Sequence, residues 1–147
     1  MKARDVMTTG AAIVSPDTTI LEAAKTMAES DVGILLVGKG DRLVGMITDR
    51  DIAVRGVAQG KDPAGTKVGE LMTGKVLYCY DDEEVGAIAN NMSNLQIRRL
   101  PVVNRNKRLM GVLSLGDIAL KDDASLAGAT LHGVCLRSEE KPGARAC

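Results

Sequence analysis

Two seven-residue segments place a small hydroxyl and an acid three positions apart, each behind a glycine: Gly45-Met46-Ile47-Thr48-Asp49-Arg50-Asp51 and Gly111-Val112-Leu113-Ser114-Leu115-Gly116-Asp117. Each falls where a short apolar run hands over to a helical pattern. A helix N-terminus presents unpaired N–H donors and the positive end of the helix dipole, a natural seat for phosphate. A Thr or Ser hydroxyl there can bond a phosphate oxygen. An Asp one turn later offers two acceptor oxygens to the two donors of a ribose cis-diol. The same spacing also reads as a capping box, in which Thr48 with Asp51, or Ser114 with Asp117, satisfies the first backbone N–H groups of the helix and binds nothing else. Both readings stand on the sequence.

The two segments are not equivalent. Ahead of its apolar run the second has Ile97-Arg98-Arg99-Leu100-Pro101, where the first has Val32-Gly33-Ile34. Arg is the side chain best shaped for a phosphate, so Arg98 and Arg99 are candidate anion ligands, with solvated side chains or partner ion pairs as the alternative. Asp49 and Arg50 of the first are replaced by Leu115 and Gly116 in the second. The two sites therefore differ in charge, and the second is expected to favour the more phosphorylated compound.

The elements that must position these residues are written twice. Val6-Met7-Thr8 lies on Leu71-Met72-Thr73, and the register continues through Asp17 on Asp82, Ala24 on Ala89, Met27 on Met92 and Val37 on Val102; after one residue inserted in the second copy, Arg42-Leu43-Val44-Gly45 meets Arg108-Leu109-Met110-Gly111. Within each copy, Ile20, Ala23/Ala24 and Met27, or Val85, Ile88/Ala89, Met92 and Leu95, follow helical spacing with one apolar face. Two apolar runs about a polar turn then predict a β-hairpin, from Ile34 to Val37 and Leu43 to Ile47, or from Leu100 to Val103 and Leu109 to Leu113. A last helix is predicted from Asp49 to about Ala58 and from Gly116 to about Lys121. Each copy thus reads strand, helix, strand, strand, helix: an α+β fold of two tandem β-α-β-β-α repeats. Units this small bury too little surface to stand comfortably alone, so the repeats are expected to pack on each other about a pseudo-two-fold axis. The boundaries read 1–61 for the first repeat, 62–69 for a linker, 70–121 for the second repeat and 122–147 for a short helix, built on Leu126, Ala129 and Val134, with a disordered tail beyond Arg137.

Composition narrows the function classes. Nineteen basic and nineteen acidic residues leave no net charge, and there is no Trp, no Phe and only two Tyr. Such a chain has neither the field nor the stacking surface to hold nucleic acid. The N-terminus lacks the apolar core of a secretory signal and no run approaches a membrane span, so a cytoplasmic protein without membrane association is expected. Cys79, Cys135 and Cys147 form no CxxC pair and read as free thiols. A lone His132 gives no metal signature. No nucleophile, base and orienting group come together in the sequence, which argues against an enzyme.

The doubled Met-Thr, the apolar hairpins and the doubled Gly-x-x-Thr/Ser-x-x-Asp resemble a pair of CBS (cystathionine-β-synthase) domains over roughly residues 3 to 121. The resemblance implies two repeats packed through their sheets, with two clefts that hold AMP, ADP, ATP, NAD or S-adenosylmethionine. It passes phosphate or ribose contacts to Thr48 and Ser114 and ribose contacts to Asp51 and Asp117, with Asp49 beside the first site. By position in that fold the adenine would rest on Ile13, Val14 and Val32, or on Tyr78, Cys79 and Ile97, and Pro101 is a further nucleotide-binding candidate. The implied function is that of a stand-alone regulatory module, homodimeric through its exposed helices, which senses an adenosine nucleotide and signals to a separate effector protein. A ligand-free module for protein interaction or dimerisation is the alternative.

Overall fold

The computed structural model describes residues 1–136; the disorder expected beyond Arg137 lies outside them. The chain forms two compact units that do not follow the order of the two copies. Residues 10–76 make a central unit, whereas residues 1–9 join the chain from 77 onward in a terminal unit.

In the central unit, β1 (Ile13–Val14) runs parallel to β2 (Ile34–Lys39), which pairs antiparallel with β3 (Arg42–Thr48). Between β1 and β2, α2 (Ile20–Ser30) begins at Thr19, whose hydroxyl accepts from the Glu22 N–H at 3.2 Å. It buries Ile20, Ala23 and Met27, the face expected from their spacing, against Leu35, Val37 and Ile47 of the hairpin. Beyond β3 the chain makes one turn of α-helix, α3 (Asp49–Asp51), then a π-helical stretch, Ile52–Gly56, and a 3₁₀ turn, Val57–Gln59. The segment read as a linker ends packed on this unit: α4 (Val68–Leu71) buries both Val68 and Leu71 in the same core.

The terminal unit repeats the plan with β4 (Cys79–Tyr80), α5 (Val85–Leu95), β5 (Arg99–Val103), β6 (Leu109–Ser114) and α6 (Leu115–Lys121). Its first turn of helix, α1 (Ala3–Val6), comes from the N-terminus and buries Ala3 and Val6. In α5 the buried face is Val85, Ile88, Ala89 and Met92; Leu95, expected on that face, is 52% exposed at the end of the helix. One element has no central counterpart. The last helix, α7 (Ala124–Cys135), buries Ala127, Thr130 and Val134, so its inward stripe is turned from the expected Leu126, Ala129 and Val134, and Ala129 faces solvent.

The arrangement fixes the motif glycines. Thr8 bridges antiparallel to Val112, its N–H donating to the Val112 carbonyl at 2.8 Å and its own carbonyl accepting from the Val112 N–H at 3.0 Å. Thr73 does the same with Met46 in the central unit. A Cβ on Gly111 would stand 2.4 Å from the Thr8 carbonyl oxygen, and one on Gly45 2.6 Å from Met72 Sδ. The doubled Met-Thr and the doubled Gly are therefore two sides of one contact.

Cys79 is free and buried, whereas Cys135 is disulfide-bonded, so the reading of three free thiols fails at Cys135. Burial, with a smaller contribution from the Glu83 charge, pushes the Cys79 thiol up from its ordinary value of 9.0 to about 12.

Gly111→Ala must displace backbone, so it should lower stability in urea unfolding by about 1–3 kcal/mol, whereas Gly86→Ala in α5, where a Cβ meets nothing within 4 Å, should raise it by about 0.5–1 kcal/mol. Cys79 should resist iodoacetamide at pH 8 until the protein unfolds. Above pH 9 the unfolded chain releases the thiol proton that the folded one keeps, so this group's contribution to stability should decline as pH rises toward 12.

Candidate functional site

Both motif boxes form, but their atoms are spent differently. In the central unit the Asp51 N–H donates to Thr48 Oγ1 at 3.0 Å and the Thr48 N–H to Asp51 Oδ2 at 2.9 Å. Among the described residues nothing donates to Asp51 Oδ1 and nothing accepts the Thr48 hydroxyl proton. One acceptor and one donor remain open to a ligand.

In the terminal unit the Asp117 N–H donates to Ser114 Oγ at 3.1 Å, and Asp117 Oδ2 accepts from both the Ser114 N–H at 2.8 Å and the Ser114 hydroxyl at 2.7 Å. The other oxygen, Oδ1, accepts from the Thr8 hydroxyl at 2.7 Å and lies 3.7 Å from Lys121 Nζ. That ammonium also donates to the Val6 carbonyl at 3.0 Å. Thr8 and Lys121 were missed in the sequence. Lys121 stands one helical turn beyond Asp117, a spacing that could have suggested the pair; Thr8 had only its place in the doubled Met-Thr, 109 residues away from its partner.

The charge asymmetry expected from the sequence has a geometric basis. The Asp49 N–H donates to the Gly33 carbonyl and the Leu115 N–H to the Arg98 carbonyl, each at 3.0 Å, so Gly33 and Arg98 are structural counterparts. A Cβ on Gly33 would meet Asp49 Oδ2 at 2.9 Å. The central unit thus sets a carboxylate against the position from which the terminal unit projects a guanidinium. Asp49 is exposed and its Oδ1 accepts from the Arg50 N–H at 2.8 Å.

Arg99 lies across from Ser114 in the β5–β6 register. Arg98, Arg99 and Ser114 line an open cavity of about 540 Å³ together with residues of α6 and α7. Arg98 is exposed and Arg99 half-buried, and neither guanidinium has an ion pair or hydrogen bond among the described residues. Cavities of about 300–1,000 Å³ are the usual size for small-molecule ligands.

The remaining candidates scatter. Ile13 and Val32 are half-exposed, and Val14 packs on the central core. Ile97 packs on the terminal core, and Pro101 is buried with its carbonyl 3.8 Å from Cys79 Sγ. Tyr78 stands edge-to-face on Tyr80 with ring centres 5.7 Å apart, and Arg105 lies 4.1 Å over the Tyr80 ring while pairing with both oxygens of Asp82. That guanidinium holds the Asp82 carboxyl below the usual carboxylate range. Among the described residues no three His, Cys, Asp or Glu side chains are grouped to hold a metal ion, and no helix is long and apolar enough to cross a membrane.

The hydrogen bonds rank the two boxes by their role in folding. Asp117→Ala strands the Ser114 N–H and two hydroxyls and should cost about 1–3 kcal/mol, against about 1 kcal/mol for loss of the cap in Asp51→Ala. Chemical denaturation of both variants measures this, and a cost for Asp117→Ala no larger than for Asp51→Ala would show that the Thr8 and Ser114 bonds carry little.

The sequence profile of the CBS domain matches residues 3–56 and 68–122. Hypoxic response protein 1 of Mycobacterium tuberculosis (strain ATCC 25618 / H37Rv) is 40% identical over 118 residues, which are 80% of this chain and 82% of that protein. A crystal structure of Hypoxic Response Protein I with two coordinated zinc ions superposes with a TM-score of 0.73 at 39% identity, over 81% of this chain and 97% of that one. The CBS domain pair of protein MJ0100, crystallised in complex with 5′-methylthioadenosine and S-adenosyl-L-methionine, gives 0.72 at 30% identity, with the same coverage of 81% and 97%. Two matched copies, each folded as a three-stranded sheet with its helices, place the chain in the CBS domain family.

Proposed function

We propose that the protein is a regulatory module that binds an adenosine-containing nucleotide and signals its presence to a separate effector protein. One observation carries this: Arg98 and Arg99, whose guanidiniums have no ion pair or hydrogen bond among the described residues, line an open cavity of about 540 Å³ together with Ser114. Each unit is suited to a different part of such a ligand taken separately: in the central unit the open acceptor on Asp51 and open donor on Thr48 suit a ribose, and in the terminal unit Arg98 and Arg99 suit a phosphate. The MJ0100 domain pair, similar over most of this chain, was crystallised with two adenosine compounds. AMP, ADP, ATP, NAD and S-adenosylmethionine are the candidates, and the arginines favour those carrying phosphate. Homodimerisation belongs to the same reading, supported by the exposed Val54, Val57 and Leu120 on the helices that follow β3 and β6.

A second reading has its own observation. Asp117, with both carboxylate oxygens engaged inside the protein, behaves as a cap, as a ligand-free interaction module would require. Calorimetry with AMP, ATP and adenosine separates the two. The paired substitution Arg98→Ala with Arg99→Ala should weaken ATP by about 1.5–3 kcal/mol if the half-buried Arg99 is desolvated by the ligand, and leave adenosine nearly unchanged. Equal losses for all three compounds would make the arginines structural, and no binding of any of them to the unmodified protein would favour the interaction module.

A further inference from the structure

The helix α7 lies beyond both segments that match the CBS domain, yet it supplies four of the ten residues that line the arginine-bordered cavity. Its contributions are Ala124, Ala127, Gly128 and Leu131, the i, i+3, i+4, i+7 positions that share one helix face. That face lines the same cavity as Arg98 and Arg99. Three of its four side chains are small, and a Cβ on Gly128 would meet nothing within 4 Å. The open volume on this side of the cavity is therefore set by what α7 does not carry.

The helix is held by groups other than those on the cavity face. The Asp123 carboxylate caps it, accepting from the Ser125 N–H at 2.7 Å and the Leu126 N–H at 3.3 Å. Thr130 and Val134 are buried. Gly133 packs on α5, where a Cβ would fall 2.9 Å from Ser93 Cβ, and Gln96 donates to the Leu136 carbonyl beyond the helix end. Of the cavity-facing positions only Ala127 belongs to the core cluster. A helix-interior glycine with no close neighbour costs helix stability relative to alanine, and at Gly128 that cost buys space facing two cations.

We propose that α7 is the specificity wall of this site, and that Gly128 is the residue that admits a polyphosphate in front of Arg98 and Arg99. The inference rests on the nucleotide reading above and adds to it which part of the chain selects among nucleotides. Filling Gly128 removes room on the phosphate side, so the longest phosphate chain loses affinity first, AMP less and adenosine least. The central unit has nothing equivalent, since its chain runs from the 3₁₀ turn at Val57–Gln59 toward α4 without a further long helix.

The test is a graded series, Gly128→Ala, Gly128→Leu and Gly128→Phe, in the full chain, titrated with ATP, AMP and adenosine beside the Arg98→Ala, Arg99→Ala double variant. Melting temperatures at or above that of the unmodified protein are expected, since the added side chains enter open space. ATP affinity should fall with side-chain size, by about tenfold or more for Leu, while adenosine changes little. If the unmodified protein binds ATP in an arginine-dependent way and Gly128→Leu leaves ATP affinity unchanged, α7 is not the wall, although the nucleotide site stands. Destabilisation by Gly128→Ala would show that the space is not open and would overturn the proposal as well. Absence of arginine-dependent binding in the unmodified protein would defeat the nucleotide reading itself, and this inference with it.

Discussion

The Thr8 carbonyl lies so near Gly111, and the Met72 side chain so near Gly45, that neither glycine could bear a side chain without moving its neighbour. Around these two contacts the rest of the structure is arranged. The first seats the N-terminal segment on the hairpin of the second copy, and the second seats the segment after the linker on the hairpin of the first. Each core depends on this seating, because Ala3, Val6 and Met7 are buried in one and Val68 and Leu71 in the other. Deleting such side chains from a packed core costs both transfer and cavity free energy. Neither copy, taken as a continuous stretch of chain, contains the whole of the core that its hairpin requires.

The same seating divides the chemistry. Thr8 arrives beside Asp117 with its hydroxyl within hydrogen-bond distance, whereas its counterpart Thr73 makes no such bond to Asp51 among the described residues. A carboxylate whose oxygens already accept three hydrogen bonds must give some of them up before it can receive a sugar hydroxyl, and an exchange of that kind yields little net free energy. Asp51 has an oxygen to offer without such an exchange. The positive charge lies on the other copy, since Arg98 and Arg99 stand where the first copy has Gly33 and Ile34, and Asp49 fills the space over Gly33. The internal repeat has diverged: one copy keeps an acceptor and a donor without partners among the described residues, and the other carries two added guanidiniums.

Much of the fold was legible because the period of the apolar residues and the doubled register carry it. Ile20, Ala23 and Met27 are buried as their spacing requires, the hairpins pair where the apolar runs fall, and the boxes cap where Thr48 and Ser114 predict. Leu95 failed because the helix ends there, and Ala129 failed because α7 is apolar nearly all round, so local pattern does not choose its inward face; close packing of Gly133 against Ser93 does. The resemblance carried the family but not the wall of the cavity, which is built from alanine and glycine, residues that announce no chemistry in a sequence. Thr8 was hidden for a different reason. Its partner is 109 residues distant, and no local rule reaches that far.

Capping and ligand binding make opposite demands on the same atoms, and the two boxes resolve them differently. A cap contributes most when both partners are satisfied inside the protein, and a binding group contributes most when it is held in place with a donor or acceptor left over. Thr48 and Asp51 meet the second condition: two bonds fix their geometry, while Oδ1 and the hydroxyl proton have no partner among the described residues. Ser114 and Asp117 meet the first, and the cationic groups lining the terminal cavity, Arg98 and Arg99, lie outside the box with no hydrogen bond or ion pair among the described residues. The fully used box locks the start of α6, and with it Leu115 and Gly116, which line the cavity together with the arginines. A motif that recurs in both copies can in this way be a ligand contact in one and a support for a neighbouring contact in the other.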